Sequence, residues 1–510
     1  MLAGFDRLVF QGHLRPLFFP GGMKRYCNAN DLLLKEFKDH SQTVTKQLIA
    51  ASEQAAGEQN RPIEYLRSPK LRKEDHARRV AQRDGIQEGL IGVFRCVEPC
   101  LSFSLRGNGA TKKLEFRPEV RQCLHLYHYY QHSVVGFMYA RLQTWFPFTI
   151  QIGINGREWL ARRLDEAGLK YRRHDNCFAW LEDVEQAQAL MDKQLRTNWS
   201  RLLEEIRQQV HPSHPQLLGN CPLDYYWTLR QSEWASDMMF ADPRELRRRY
   251  QTWLRFAMSS YRSVDIMRFL GRKLQADEGV GRFAGEVMSD LGRRVDGLRI
   301  KHRLEQNSIK MYDKASSVLR VETTINDPSA FKVYRSKEGE PSGPKDWRVL
   351  RSGVSDVHRR AQVSQSANER YAEGLAAVEQ RSTLKEVNAK LAQRVREPGS
   401  GGRWLRGLNV AGEEDATLLE IVGRPEFAVA GLRNRDVVAA LYASATTDPT
   451  EKRRRSSRVS RLLRLLRGHG LLKKIAKSHR YQVTETGRQA ITAVLAAANA
   501  SIQELTKLAA

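Results

Sequence analysis

Between Leu298 and Ile325 the chain reads LRIKHRLEQNSIKMYDKASSVLRVETTI. Three short segments in it alternate with a period of two, the spacing that sends successive side chains to opposite faces of a β-strand. One set of alternate positions collects Leu298, Ile300, His302, Ile309, Met311, Leu319, Val321 and Thr323. The other collects Arg299, Lys301, Arg303, Lys310, Tyr312, Lys314, Arg320, Glu322 and Thr324. The expectation is a β-meander with a core face and a cationic outer face. Any polar outer face satisfies an antiparallel sheet, but one with so many cations beside Glu322 suits an anionic partner. Phosphate points to nucleic acid, with Arg299, Lys301, Lys310, Lys314 and Arg320 as the contacts.

The whole chain carries the same bias. Lys and Arg outnumber Asp and Glu by 84 to 58 in 510 residues, giving a formal charge of +26 and a pI near 10.0. An excess of that size predicts a polyanionic partner. A composition of 41% hydrophobic and 8% aromatic residues predicts a folded protein long enough for two or three domains. A membrane is the competing polyanion, but no apolar run approaches the span of about 18 residues, and no basic helix has a bulky aromatic face. The stretch MLAGFDRLVFQGHLRPLFF puts Asp6 and Arg7 ahead of its apolar residues and has no small-residue cleavage site, so it is not read as a secretory signal and a cytoplasmic protein is expected. Six cysteines are too sparse for a disulfide scaffold. Cys96, Cys100, Cys123 and His125 together supply the ligand types of a metal site, at an imperfect zinc spacing.

From Gly89 onward GLIGVFR, CLSFSL, KKLEFR, CLHLYHYY, VVGFMYARL and TWFPFTIQIGI are short runs rich in aromatic and β-branched residues. Turn signals such as Gly107-Asn108-Gly109 separate them, and they predict an antiparallel sheet. Residues 1 to 85 combine a short apolar start, a helical pattern over Asp31 to Gln54 and the charged run SPKLRKEDHARRVAQRDG, and predict helices and a solvated stretch. Helical periodicity over 156–167 and 183–210 predicts helices packed on the sheet. Residues 227–240 and 242–258 also read as helices, the second with Asp242 as N-cap and Pro243 in its first turn, and Ser263 caps a third. His211 and His214 are expected in a surface turn, and Trp227 and Trp234 in the core. The fold class is therefore α+β. A large N-terminal antiparallel-sheet domain with packed helices spans 1–335, its meander at 298–325 facing nucleic acid. A connector and helical arm span 336–402, where RSKEGEPSGPKDW is rich in Gly, Pro and Ser. The run Glu397-Pro-Gly-Ser-Gly-Gly402 marks a domain boundary.

Over 413–510 the pattern is a helix near 415–422, a second capped by Asn434, a third over 455–469, then the strand pair LLKKIAKS and HRYQVT. Three helices and a two-stranded wing predict a C-terminal winged helix-turn-helix. Between Lys452 and Arg480 there are twelve cations and no carboxylate. Val459, Leu462, Leu463 and Leu466 share one helical face, which leaves Arg455, Arg458, Arg461 and Arg464 for DNA, together with Lys473, Lys474, Lys477 and Arg480 of the wing. Residues 455–487 resemble the MarR and related families of bacterial regulators, and the whole chain resembles bacterial proteins of similar length that carry such an end. The resemblance implies binding to double-stranded DNA, with the third helix in the major groove and the wing on adjacent backbone. Ile491, Leu495, Ala498, Ile502, Leu505 and Ala509 recur at spacings of four and three, which predicts a homodimer seam through 488–509.

Within the meander, IKMYDK followed by LRVET is similar to the K-x-Y-(D/N)-K then LR-x-E pattern of replication initiators of plasmids and filamentous phages, over residues 299–324. That resemblance implies an enzyme that nicks DNA with a tyrosine and a carboxylate-bound divalent metal, Mg²⁺ or Mn²⁺. Tyr312 stands at the tyrosine position, flanked by Lys310 and Lys314, and Glu322 at the acidic position. Asp296, Asp313 and Asp327 are the candidates for a second metal carboxylate. The chain has no His-hydrophobe-His motif, and His125-Leu-Tyr-His128 is spaced differently. The expected functions are thus a DNA-binding transcriptional regulator, a mobile-element DNA-processing enzyme acting on single strands, or a nonenzymatic nucleoid or RNA-binding factor.

Overall fold

The computed structural model describes residues 1–67, 71–110, 112–261, 263–271, 287–294, 297–337, 340, 342–376, 384–397, 402–424, 427, 431–442, 444, 446–475 and 478–501. Helices and strands mix along the chain around a large multi-stranded sheet. The chain divides into two compact units, one of Met1–Met239, Thr324–Asp327 and Arg351–Ala361, the other of Phe240–Thr323, Pro328–Leu350 and Gln362–Ala510.

The first unit holds β1 (Leu2–His13), α1 (Pro20–Ala29), α2 (Phe37–Glu58), β2 (Ile63–Tyr65), α3 (Lys73–Arg83), β3 (Gly89–Asn108), β4 (Lys113–His132), β5 (Gly136–Gln143) and β6 (Ile150–Asn155). There follow α4 (Gly156–Glu166), β7 (Tyr171–His174), β8 (Cys177–Leu181), α5 (Val184–Met191), α6 (Trp199–Val210), α7 (His214–Leu218) and β9 (Tyr226–Met239). Its sheet runs β9-β1-β6-β5-β4-β3-β2, antiparallel except for the parallel pair β2–β3. Phe37, Val44 and Leu48 of α2 and Trp159, Leu160 and Leu164 of α4 pack with one side of the sheet. Ala77 and Val80 of α3 pack with Phe94, Tyr127 and Tyr129 in a separate cluster.

Four features of this unit depart from the sequence reading. The short apolar start was not read as a strand, yet it forms β1, flanked by β6 and β9. Leu2, Phe5, Leu8 and Phe10 are fully buried, each worth about 1.5–3 kcal/mol relative to exposure. A strand covered on both faces does not alternate, so it lacks the period of two. Residues 227–240, read as a helix, form β9. Its ladder with β1 slips twice, leaving Asp6 extra on one strand and Arg230 extra on the other, and such bulges break the period. The first four apolar runs after Gly89 merge into two 20-residue strands, β3 and β4, around the turn that Gly107-Asn108-Gly109 signals. His211 and His214 are buried rather than in a surface turn.

The second unit holds α8 (Pro243–Ser259), α9 (Ser263–Phe269), β10 (Val287–Arg294), β11 (Gly297–Leu304), β12 (Asn307–Lys314), β13 (Val318–Ile325), β14 (Lys332–Arg335) and β15 (Asp346–Val349). It continues with α10 (Val357–Ala376), whose first residues count with the first unit, then α11 (Leu384–Ala392), β16 (Val395–Arg396) and β17 (Trp404–Leu405). Last come α12 (Glu413–Val422), β18 (Leu432–Arg433), α13 (Asn434–Leu441), α14 (Pro449–Gly468), β19 (Leu472–Lys474), β20 (Arg480–Val483) and α15 (Glu485–Ala498). The meander is present as β11-β12-β13, extended by β10 at its edge. Asp242 caps α8 as expected, accepting from Arg244 N.

The expected helical arm is not an arm. In α10 Val363, Ser364, Ala367, Asn368, Tyr371 and Leu375 are buried. Asn368 accepts from Thr323 Oγ1 (2.7 Å) and donates to Val321 O (3.0 Å), and Tyr371 Oη lies 3.1 Å from His302 Nε2. Small and polar residues at helical spacing hid this face from a reading based on apolar count. β16 and β17 pair within one unit and Glu397 meets Arg467 at 3.2 Å, while residues 398–401 of the expected boundary lie outside the described residues. No helix among the described residues is long and apolar enough to cross a membrane.

Candidate functional site

Antiparallel register puts Arg299 opposite Tyr312 and Lys301 opposite Lys310, so the outer face of the meander gathers these side chains as the alternation predicts. It is not the open cationic surface expected. Both faces of β13 are covered, and Arg320 and Glu322 are buried at 0% and 1% exposure, with Lys314 also buried. A buried carboxylate must be paired, and Glu322 is. Lys310 Nζ lies 2.5 Å from Oε1 and the Tyr312 hydroxyl donates to Oε2 at 2.6 Å. The Arg320 guanidinium lies 6.0 Å from the Tyr312 ring centroid. Burial alone would raise the Glu322 carboxyl, but the Lys310 ammonium and Arg320 guanidinium, helped by the hydrogen bonds from Lys310 and Tyr312, hold it well below the usual carboxylate range. Lys301 is pulled down by burial and by the cations Lys310, Arg303 and Arg299. Arg299 binds Asp290 of β10 at 3.1 Å.

Tyr312 is half-buried, so its oxygen is oriented by an ionised carboxylate while the ring stays in partial reach of solvent. That is the arrangement of a phenol with a hydrogen-bond acceptor aligned on its proton. Of the further carboxylates considered, Asp313 follows Tyr312 directly and so points to the opposite face of β12, Asp327 belongs to the first unit, and Asp296 lies outside the described residues.

The first unit brings together two carboxylates that the sequence did not single out. Oxygens of Asp6, at the β1 bulge, and Glu233 of β9 lie within 4.8 Å of each other. Asn176 donates to Asp6 at 2.6 Å, and buried Arg157, which binds Asp237 at 3.1 Å, lies 3.9 Å from Asp6. Hard oxygen ligands in a pair suit Mg²⁺ or Mn²⁺. The bulge that aims Asp6 is also what hid it, since neither strand showed its period.

The proposed metal set of Cys96, Cys100, Cys123 and His125 does not converge. Cys96 and Cys100 lie four residues apart on one extended strand, about 13 Å at strand rise, which is beyond a shared ion. His125 Nδ1 bonds Cys123 O (3.0 Å) and Nε2 faces Arg141 Nη2 (3.0 Å), so neither nitrogen is offered to a metal. The ring is held neutral down to about 4 by burial and by Arg141. Cys100 and Cys123 hydrogen-bond to each other, which lowers Cys123 and raises Cys100.

In the C-terminal part of the second unit, α12, α13, α14 and α15 enclose a core of Leu418, Leu419, Val437, Val459, Leu463 and Leu466, with β18-β20-β19 at its side. α14 begins earlier than the sequence reading placed it. Asp448 caps it through Thr450 N and Glu451 N, with Pro449 in the first turn, so Lys452, Arg453 and Arg454 are helical and exposed. α13 starts at Asn434, which does not cap it. Asp436 accepts from Arg433 N at 2.8 Å, and Asn434 instead bonds Ser456 O and Ser460 Oγ of α14.

The four arginines expected on the free face divide. Arg458 and Arg461 are exposed, Arg458 meeting Glu414 at 2.8 Å. Arg455 turns inward to Glu451 (2.9 Å) and Ser444 O (2.7 Å), over the Tyr442 ring. Arg464 is half-buried. Lys473 and Lys474 are exposed on β19, Arg480 lies 4.4 Å from the Tyr334 ring centroid, and Lys477 is outside the described residues. In the expected dimer seam Ile491 and Leu495 are buried in the core of their own unit, and residues 502–510 lie outside the described ones. Comparison of the chain with protein-family models, with curated proteins and with solved structures finds no match in any of the three.

Proposed function

We propose that this is a bacterial DNA-binding protein whose C-terminal module is a MarR-like winged helix, with α14 in the major groove, the β19–β20 pair on the adjacent backbone, and transcriptional regulation as its role. The observation that carries the reading is the exposed cationic stretch from Lys452 of α14 through β19, which contains no carboxylate and includes Lys452, Arg453, Arg461, Lys473 and Lys474. Such cations displace condensed counterions from phosphate, and arginine also reaches guanine edges. The order helix, short strand, helix, helix, strand pair supports the winged-helix assignment. Binding of the full chain to a labelled duplex, followed by fluorescence anisotropy across a salt series, tests it. Replacing Arg453, Arg461, Lys473 and Lys474 together with Ala is expected to flatten the log–log salt slope by about 3–4 and to remove most affinity. An unchanged slope ends the assignment.

A second reading has its own support in the 2.6 Å bond between Tyr312 and Glu322. In it the chain is a nicking enzyme. The Tyr312 oxygen attacks a backbone phosphorus, a bond to the phosphorus forms as the 3′ or 5′ sugar oxygen leaves, and the phenol proton passes to Glu322. A divalent metal would supply charge stabilisation at the phosphate. The test is a covalent protein–DNA adduct that requires Mg²⁺ or Mn²⁺.

A further inference from the structure

A cleft of about 740 Å³ in the first unit is lined from α2 by Lys38 and Lys46, from the β3–β4 ribbon by Arg106, Glu119 and Arg121, and from the turn after β5 by Trp145. The two lysines lie eight residues apart on α2, two turns along one helical face. All four cations are exposed, and Trp145 is half-buried. Glu119 is the one carboxylate among the lining residues, and it is shared, 3.4 Å from Arg106 and 3.6 Å from Arg121. Neither Lys38 nor Lys46 has a carboxylate partner among the described residues. The Arg121 guanidinium lies 5.7 Å from the Trp145 ring centroid, and the buried indole N–H has no hydrogen-bond partner. The cleft therefore has a net positive lining on two separate elements and one aromatic ring beside it.

We propose that this cleft binds a short single-stranded segment of nucleic acid, its phosphates on Lys38, Lys46, Arg106 and Arg121 and one base stacked on Trp145. The proposal deepens the nucleic-acid reading above but uses none of the C-terminal module. The volume is that of a small-ligand pocket, which admits a few nucleotides and not a duplex. A ring can stack only on a base whose face is free, and single strands offer such faces while duplexes hide them. A simple phosphate ion would use the cations but leave the tryptophan without a role.

The test uses the full chain carrying the four alanines in α14 and β19, so that duplex binding by the C-terminal module does not contribute. Labelled oligothymidylate and oligouridylate are titrated, with a duplex of matched length and inorganic phosphate as competitors. Saturable binding of a single strand is expected. Trp145→Ala should weaken it about tenfold, and replacing Lys38, Lys46 and Arg106 with Ala should lower the salt slope by about 2. Preference between the DNA and RNA strands assigns the source. The lysine substitutions are on an exposed helix face and leave the fold intact, so they remain decisive where Trp145→Ala destabilises the protein. Single-strand affinity unaltered by both sets of substitutions, or displacement by phosphate as effective as by the oligonucleotide, overturns the proposal. Failure of the winged-helix assignment would show instead as duplex affinity indifferent to the α14 and β19 alanines.

Discussion

The two units each contain a tyrosine that donates to a carboxylate held by a lysine and set near an arginine, and only one of the two resembles a catalytic motif. In the first unit Tyr127 donates to Glu98 at 2.7 Å, Lys73 and Arg141 meet Glu98 at 2.8 Å and 3.1 Å, and the two cations stand over the Tyr127 ring. In the second, Tyr312, Glu322, Lys310 and Arg320 repeat the set. The difference lies in burial. Tyr127 is buried at 8% exposure and its phenol is pushed up by that burial, whereas in the second cluster the carboxylate is the buried member and Tyr312 is half-open. A tyrosine–carboxylate bond is therefore not in itself a sign of chemistry. Access to the phenol separates a structural network from a candidate nucleophile.

The comparison breaks most sharply at chemistry. If the nicking reading holds, Tyr312→Phe abolishes the covalent DNA adduct altogether, and Tyr127→Phe leaves it at the level of the unaltered chain, as read by denaturing gels after incubation with Mn²⁺ and labelled single strands. Equal loss in both variants would erase the distinction. Stability gives the next largest effect. Glu322→Ala strips the carboxylate from Lys310 and Arg320 in a buried setting and is expected to cost about 3–5 kcal/mol. Glu98→Ala, at a site nearer solvent, is expected to cost about 1–2 kcal/mol. Denaturant unfolding of the two variants should rank them in that order.

The third effect is in pH. Both carboxyls are held below their ordinary value, so each contributes stability that is present above the unfolded value of 4.5 and lost as pH falls through its folded value. His125, beside the first cluster, is lowered from 6.5 to about 4. The unfolded chain therefore binds a proton there that the folded chain refuses, and stability falls between pH 6.5 and about 4 by about 1.4 kcal/mol per pH unit. The second cluster has no histidine among its members. His125→Gln should make the stability profile less steep by about that amount between pH 6.5 and about 5, a range that Glu322→Gln leaves unchanged.

What the sequence disclosed depended on whether an element shows one face or two. The meander and α8 were legible because one face is polar and the N-cap is explicit. The same Asp-Pro start occurs at Asp448-Pro449 and places α14, but the run of arginines after it drew the helix boundary to Arg455. β1 and β9 were opaque because burial on both sides of β1 and bulges at Asp6 and Arg230 removed the period of two. That is why Asp6 and Glu233 went unnoticed. Tyr312 and Glu322 could be paired from alternation alone, since Lys310, Tyr312 and Glu322 share one face. Nothing in their spacing foretold that Arg320 and Glu322 would be inside, because burial of a cation and its carboxylate depends on what covers the strand.

Placing β1 between β6 and β9 has a consequence for synthesis. Its partners are Ile150–Asn155 and Tyr226–Met239, so the second edge of this apolar strand emerges from the ribosome more than two hundred residues after the strand itself. At roughly 5–20 residues per second the nascent strand waits on the order of 10–40 s for that edge. During that interval it presents unpaired backbone flanked by large apolar side chains, the kind of segment that chaperones hold and that other nascent chains pair with. A variant in which residues 1–13 are transposed to follow β9 would shorten the wait to a hairpin's, and the yield of native protein in a cell-free translation lacking chaperones should rise accordingly.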